Sequence, residues 1–156
     1  MINKTSLKFV GGFVVIVVLA FGSIYYLSYY NSPEQKAIRY YKNLEKQYAE
    51  DTYGGKTPEE TLQLFIDALK AGDVELASKY FVVEEREKRK EFLQKVDNAG
   101  NLSLFINELS RKNYSKRDFN GLEESFIFTF YNAKDNTSIT VDINRLPNGI
   151  WKITDI

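Results

Sequence analysis

Residues 9 to 27 read FVGGFVVIVVLAFGSIYYL, nineteen positions without a charge, and no other stretch constrains the chain as strongly. A helix over Phe9–Tyr30 would be about 33 Å long at 1.5 Å per residue, enough to cross a hydrocarbon core of about 30 Å. A domain of the size left over could not cover such a helix on all sides, so a buried core helix is the poorer account. Lys4 and Lys8 precede the run, a layout shared by cleavable signal peptides and uncleaved anchors. Cleavable apolar regions are about 7–15 residues long, and Ala20-Phe21-Gly22 is a poor cleavage signal. The reading is therefore a short basic tail at 1–8 and a transmembrane helix at 9–30, with membrane lipid as its partner. Tyr25, Tyr26, Tyr29 and Tyr30 fit this, because amphipathic rings at a helix end suit the headgroup layer.

Orientation rests on the flanking cations. The short basic tail favours an inside N-terminus, whereas Lys36, Arg39, Lys42 and Lys46 on the other flank would reverse that by count. The expectation is an extracytoplasmic C-terminal domain, in keeping with exported single-span proteins of bacterial envelopes. Gly12-Phe13 followed by an apolar run also resembles the start of a type IV pilin, with Val17 where that pattern carries a glutamate.

Composition removes whole classes of chemistry. The chain has no cysteine and no histidine, which excludes disulfides, thiolate catalysis, cysteine-ligated zinc and the usual neutral-pH base. Before Thr57 there are seven basic and four acidic residues, and from Thr57 on 14 and 17. A mildly acidic soluble part argues against nucleic acid as a partner. Neither a cofactor nor a metal is expected.

Asn31-Ser32-Pro33 breaks the first helix and can start a second, with Ser32 as cap and Pro33 in its first turn. Ala37, Tyr41, Leu44 and Tyr48 recur at four, three and four residues, a seam of two heptads. Segment 33–51 is either a stalk that self-associates or meets a protein partner, or an amphipathic helix lying on its own domain or on the membrane. Tyr53-Gly54-Gly55 reads as a flexible joint, which makes 31–56 the connector and 57–156 the domain.

Within that domain Thr57-Pro58-Glu59-Glu60 is a capping box, and Leu62, Phe65, Ile66 and Leu69 follow at the spacing of one buried face. Ala71-Gly72 ends the helix, and Asp73 caps a short second one through Tyr80. Residues 84–95, EEREKRKEFLQK, pair charges at four-residue spacing and read as a solvated helix face. Leu102, Phe105, Ile106 and Leu109 repeat the buried spacing. After Asn113 the period changes to two: Phe126, Phe128 and Phe130, then Ile139, Val141 and Ile143, then Trp151 and Ile153, separated by turns at 133–136 and 147–149. This predicts an antiparallel meander of three strands, with a fourth within 114–119 and helices on its apolar face.

The helix pair opened by Thr57-Pro58-Glu59-Glu60, the stretch Phe65-Ile66-Asp67-Ala68-Leu69-Lys70-Ala71-Gly72-Asp73, and the closing strand Gly149-Ile150-Trp151-Lys152-Ile153 resemble the NTF2-like superfamily. That resemblance implies an α+β fold, a cone of helices packed on a curved antiparallel sheet and enclosing a pocket. If open, the pocket would be lined by Phe65, Phe105, Phe126, Phe128, Phe130 and Trp151. No catalytic set carries over: Asp67 falls on the solvent side of its helix, and Tyr131 and Asp142 fall opposite the Phe and Ile rows. The expected function is a membrane-anchored binding or scaffolding module rather than an enzyme. An apolar-pocket binder or enzyme is the competing class. The layout of tail, span, connector and domain is also similar to the VirB8-like inner-membrane scaffold of type IV secretion.

Overall fold

The computed structural model describes residues 4–112, 114–119, 121 and 123–156, with side chains described from Gly12 onward. Helix α1, Lys4–Tyr30, contains the apolar run. Its Gly12–Tyr30 stretch has mean hydropathy 1.9 and no burial by protein, so it is long and apolar enough to cross a membrane. Helix α2, Pro33–Glu50, starts where the proline predicts, and Ser32 Oγ caps it by accepting from the Gln35 amide at 3.3 Å. The chain divides into two compact units, one ending at Lys46 and the other beginning at Gln47.

The second unit is built on α3, Pro58–Lys70. Thr57 Oγ1 accepts from the Glu60 amide at 3.1 Å, while Glu60 accepts from the Lys56 amide at 2.6 Å, one residue before the position an ideal capping box would use. Leu62, Phe65, Ile66 and Leu69 are buried as their spacing predicts. Asp73 caps α4, Val74–Lys79, through the Leu76 amide at 2.8 Å. A 3-10 turn at Val83–Glu85 leads into α5, Arg86–Asn98, and α6 spans Leu102–Leu109.

Four strands follow: β1 Tyr114–Asp118, β2 Ser125–Tyr131, β3 Thr137–Arg145 and β4 Trp151–Asp155. They form one antiparallel sheet in the order β1-β2-β3-β4, so the strand expected within 114–119 is present. Phe128 lies opposite Lys116 on one side and Val141 on the other, and Ile143 opposite Ile153. The face carrying Phe128, Phe130, Val141, Ile143 and Ile153 is fully buried, and α3 packs against the sheet. Phe65 meets Phe81 edge to face, ring centres 5.4 Å apart. The described residues thus form an α+β protein with six helices, one of them the apolar N-terminal helix.

Two local expectations change. Tyr53-Gly54-Gly55, expected as a flexible joint, is tied into the domain: Gly55 forms a bridge with Trp151, whose amide donates to the Gly55 carbonyl at 3.0 Å. Gly54 has φ of +132°, and a side chain there would collide with Ile150 and the Trp151 carbonyl. The compact unit that contains this bridge begins at Gln47. The charged run is also more than a solvated face, because its basic residues reach other elements: Arg86 to Asp51, Arg89 to Asp155 and Lys90 to Glu75. Leu93 is the fully buried residue of α5, and these pairs add contacts from its polar side to neighbouring elements.

Candidate functional site

A cleft of about 340 Å³ lies where α3, the end of α6 and the β1–β2 pair converge. Helical periodicity turns Leu62 and Ile66 of α3 toward it, and strand alternation turns Tyr114, Phe128 and Phe130 the same way. Tyr114 lies between the two phenylalanines, with ring centres at 5.8 and 5.5 Å. The floor is therefore aromatic, and Glu59, Gln63, Lys70, Arg111 and Lys112 form a polar rim.

Three of the four rim charges, Glu59, Lys70 and Arg111, pair with residues just outside the lining. Lys116 Nζ lies 2.6 Å from Glu59 and 3.9 Å from the centre of the Phe126 ring. Burial alone would raise the Glu59 carboxyl, but the hydrogen bond and charge of Lys116 and a backbone bond outweigh it and hold the group below the usual carboxylate range. Glu59 is thus an ion-pair member, not a poised base. Lys70 pairs with Asp67 at 3.5 Å and Arg111 with Glu108. The accessible aromatic surface of the cleft is that of Tyr114, 45% exposed, with Phe128 and Phe130 buried beneath it.

A second cleft, about 390 Å³, lies between Phe92 of α5, Phe105 of α6 and residues 138–140, 142 and 155–156. Asp142 and Asp155 sit opposite each other in the register. Burial, then the neighbouring Asp155 charge, raises the Asp142 carboxyl, and its Oδ1 is buried without a hydrogen-bond partner among the described residues. The Ile156 amide and Arg89 hold Asp155 low. No group of three potential metal ligands occurs among the described residues.

The structure scatters the six aromatic residues expected to line one pocket. Phe128 and Phe130 floor the first cleft and Phe105 lines the second. Phe126 is half-buried against Trp151, ring centres 5.5 Å apart. Phe65 and Trp151 are core residues and line neither cleft. Asp67 is exposed, as its helix position predicts, and bonds to Gln63. The cleft residues outside that set, Leu62, Ile66, Lys70 and Tyr114, carried the signal of a buried helix face or a strand edge and nothing that marked a site.

One polar cluster had no sequence signal. Lys152 is fully buried between the core residues Trp151 and Ile153 on β4. Its Nζ donates to Asp51 at 2.8 Å and to the Lys79 carbonyl at 2.7 Å. Arg86 reaches the same Asp51 oxygen and donates to the Lys79 carbonyl at 3.2 Å. Burial pushes the Lys152 ammonium down to about 8, with Asp51 opposing and Arg86 assisting. The cluster lines neither cleft, and its geometry is that of an internal tie. No family model, curated protein or solved structure matches the chain.

Proposed function

We propose that this chain is a single-pass membrane protein whose C-terminal domain is an NTF2-like binding or scaffolding module at the cell envelope. The observation that carries the reading is the first cleft, an aromatic floor under a rim of paired charges, in a chain that begins with a helix apolar enough to span a bilayer. The helices-then-meander order and the packing of α3 on the sheet support the NTF2-like assignment. Around the cleft, charges neutralise one another instead of shifting toward catalysis, which favours a non-enzymatic role.

The test combines carbonate extraction with a cysteine placed at Asn136, in the exposed turn between β2 and β3. Resistance to extraction, with maleimide labelling in intact cells, supports an anchored extracytoplasmic domain. Labelling only after lysis would place the domain inside and make a cytoplasmic partner the object of the search. A small apolar ligand is the second reading, favoured because the cleft volume falls at the lower end of the ~300–1,000 Å³ range of ligand pockets. A bound species retained by the purified chain in native mass spectrometry, and lost on Tyr114→Ala, would select it.

A further inference from the structure

The first turns of α2 carry two separate stripes. At 100° per residue, Lys36, Arg39, Lys42 and Lys46 fall on one side of the helix, and Ala37, Tyr40, Tyr41 and Leu44 on another. Glu34 and Glu45 lie off the basic side, so they do not neutralise it in place. Tyr40 and Tyr41 are exposed, at 55% and 67%. Lys36 and Lys42 are exposed and have no anionic partner among the described residues.

The join to α1 fixes where this surface lies relative to the apolar helix. The Arg39 guanidinium donates to the Tyr30 carbonyl at 2.8 Å and stacks 4.0 Å over the Tyr30 ring, while Gln35 Nε2 donates to the Tyr29 hydroxyl at 3.0 Å. In one continuous helix, residues nine apart are separated by two and a half turns and face opposite sides. Arg39 can reach Tyr30 only because the chain turns at Asn31–Ser32. The basic stripe is thereby held beside Tyr29 and Tyr30, the rings that end the apolar segment and suit the headgroup layer.

We propose that this stripe binds anionic phospholipid headgroups, with Lys36, Arg39 and Lys42 as the contacting cations. A cluster of cations held beside the rings that end an apolar span is complementary in charge to an acidic bilayer surface. The inference rests on the reading of α1 as a membrane anchor.

The experiment uses the full chain carrying Asn43→Cys, an exposed position on the basic side of α2, labelled with an environment-sensitive fluorophore and reconstituted into nanodiscs. One set contains phosphatidylcholine alone and the other adds phosphatidylglycerol. The expected result is a blue shift in the acidic discs, reversed by high salt and abolished by Lys36→Gln with Lys42→Gln, while incorporation into both discs is unchanged. Identical emission in the two lipids overturns the headgroup assignment and leaves the anchor standing. A shift that follows the number of chains per disc instead of lipid charge also overturns it, in favour of self-association through the tyrosine stripe. Failure to enter either disc removes the anchor, and the inference with it.

Discussion

The two edges of the sheet are built to opposite specifications. At β4 the outer backbone groups are occupied: Gly55 bridges Trp151, Phe81 bridges Ile153, and the Ile153 amide and carbonyl bond to Tyr80 and Val82 at 3.0 and 2.9 Å. Beneath this seal lies the Asp51–Lys152–Arg86 cluster. At β1 the strand pairs with β2 alone among the described residues, and four of its five residues are exposed. The first cleft opens on this side. One sheet thus divides its labour, with one edge joining the domain to residues 51–55 and the other left accessible beside the concavity.

The sharpest way to break that comparison is to remove the charge at the centre of the closed edge. Asp51→Ala leaves Lys152 and Arg86 facing each other with no counter-charge, and orphaning a buried ion in this way costs about 3–5 kcal/mol. A domain of this size has only about 5–15 kcal/mol in total. Chemical denaturation of the full chain in detergent is expected to show a loss of that order. A loss below about 1 kcal/mol would mean the closed edge is not a tie at all.

The same cluster gives a pH dependence with a definite sign. Lys152 has a folded pKa of about 8 against an ordinary value of 10.5. Both states are protonated below pH 8, and between 8 and 10.5 the unfolded chain holds more protons, so this group's contribution rises with pH. It is complete above 10.5 and lost as the pH falls through 8. The stability difference between the natural chain and Lys152→Met is therefore expected to shift in favour of the natural chain across that window. A difference that is flat with pH would show that Lys152 does not titrate there.

This edge was also the part least legible in the residues. Period-two alternation located β2 to β4, and 3.6-residue spacing located α3, because each depends on neighbours in sequence. The Asp51–Lys152 contact joins positions a hundred residues apart, and alternation alone would place Lys152 on a wet face. Tyr53-Gly54-Gly55 misled for a related reason: glycines permit a joint, but here they permit close approach of the backbone to β4. At the cleft, Phe128 and Phe130 were legible as apolar strand positions. That Leu62 and Tyr114 join them, whereas Phe65 and Trp151 do not, depends on how α3 crosses the sheet.

A smaller effect on the closed edge comes from Thr61, fully buried on α3. Its Oγ1 accepts from the Gly55 amide at 2.8 Å and lies 3.0 Å from the Trp151 carbonyl, to which it can donate. Thr61→Val keeps the shape and strands both backbone groups, a cost of about 1–3 kcal/mol. Faster amide exchange at Gly55 should accompany the loss. Unchanged exchange there would show that water replaces the hydroxyl and that the seal is looser than its geometry.

The smallest stability change is expected at the open edge, where the informative readout is association. An unpaired strand edge is a template for another strand, and charged side chains are the common defence. Lys116 and Arg117 are consecutive on β1, so alternation places one on each face. Lys116 turns inward over Phe126 and pairs with Glu59, while Arg117 is exposed on the other face. Replacing both by valine removes one partly exposed ion pair, worth about 1 kcal/mol or less, and raises strand propensity at the same time. Denaturation should therefore barely move, whereas sedimentation of the detergent-solubilised chain should reveal concentration-dependent oligomers absent from the natural protein. If the double variant instead unfolds as readily as Asp51→Ala, the open edge bears as much structural load as the closed one. If it stays monomeric, exposure of β1 alone does not make it adhesive, and the cleft rather than the strand would be the surface that meets a partner.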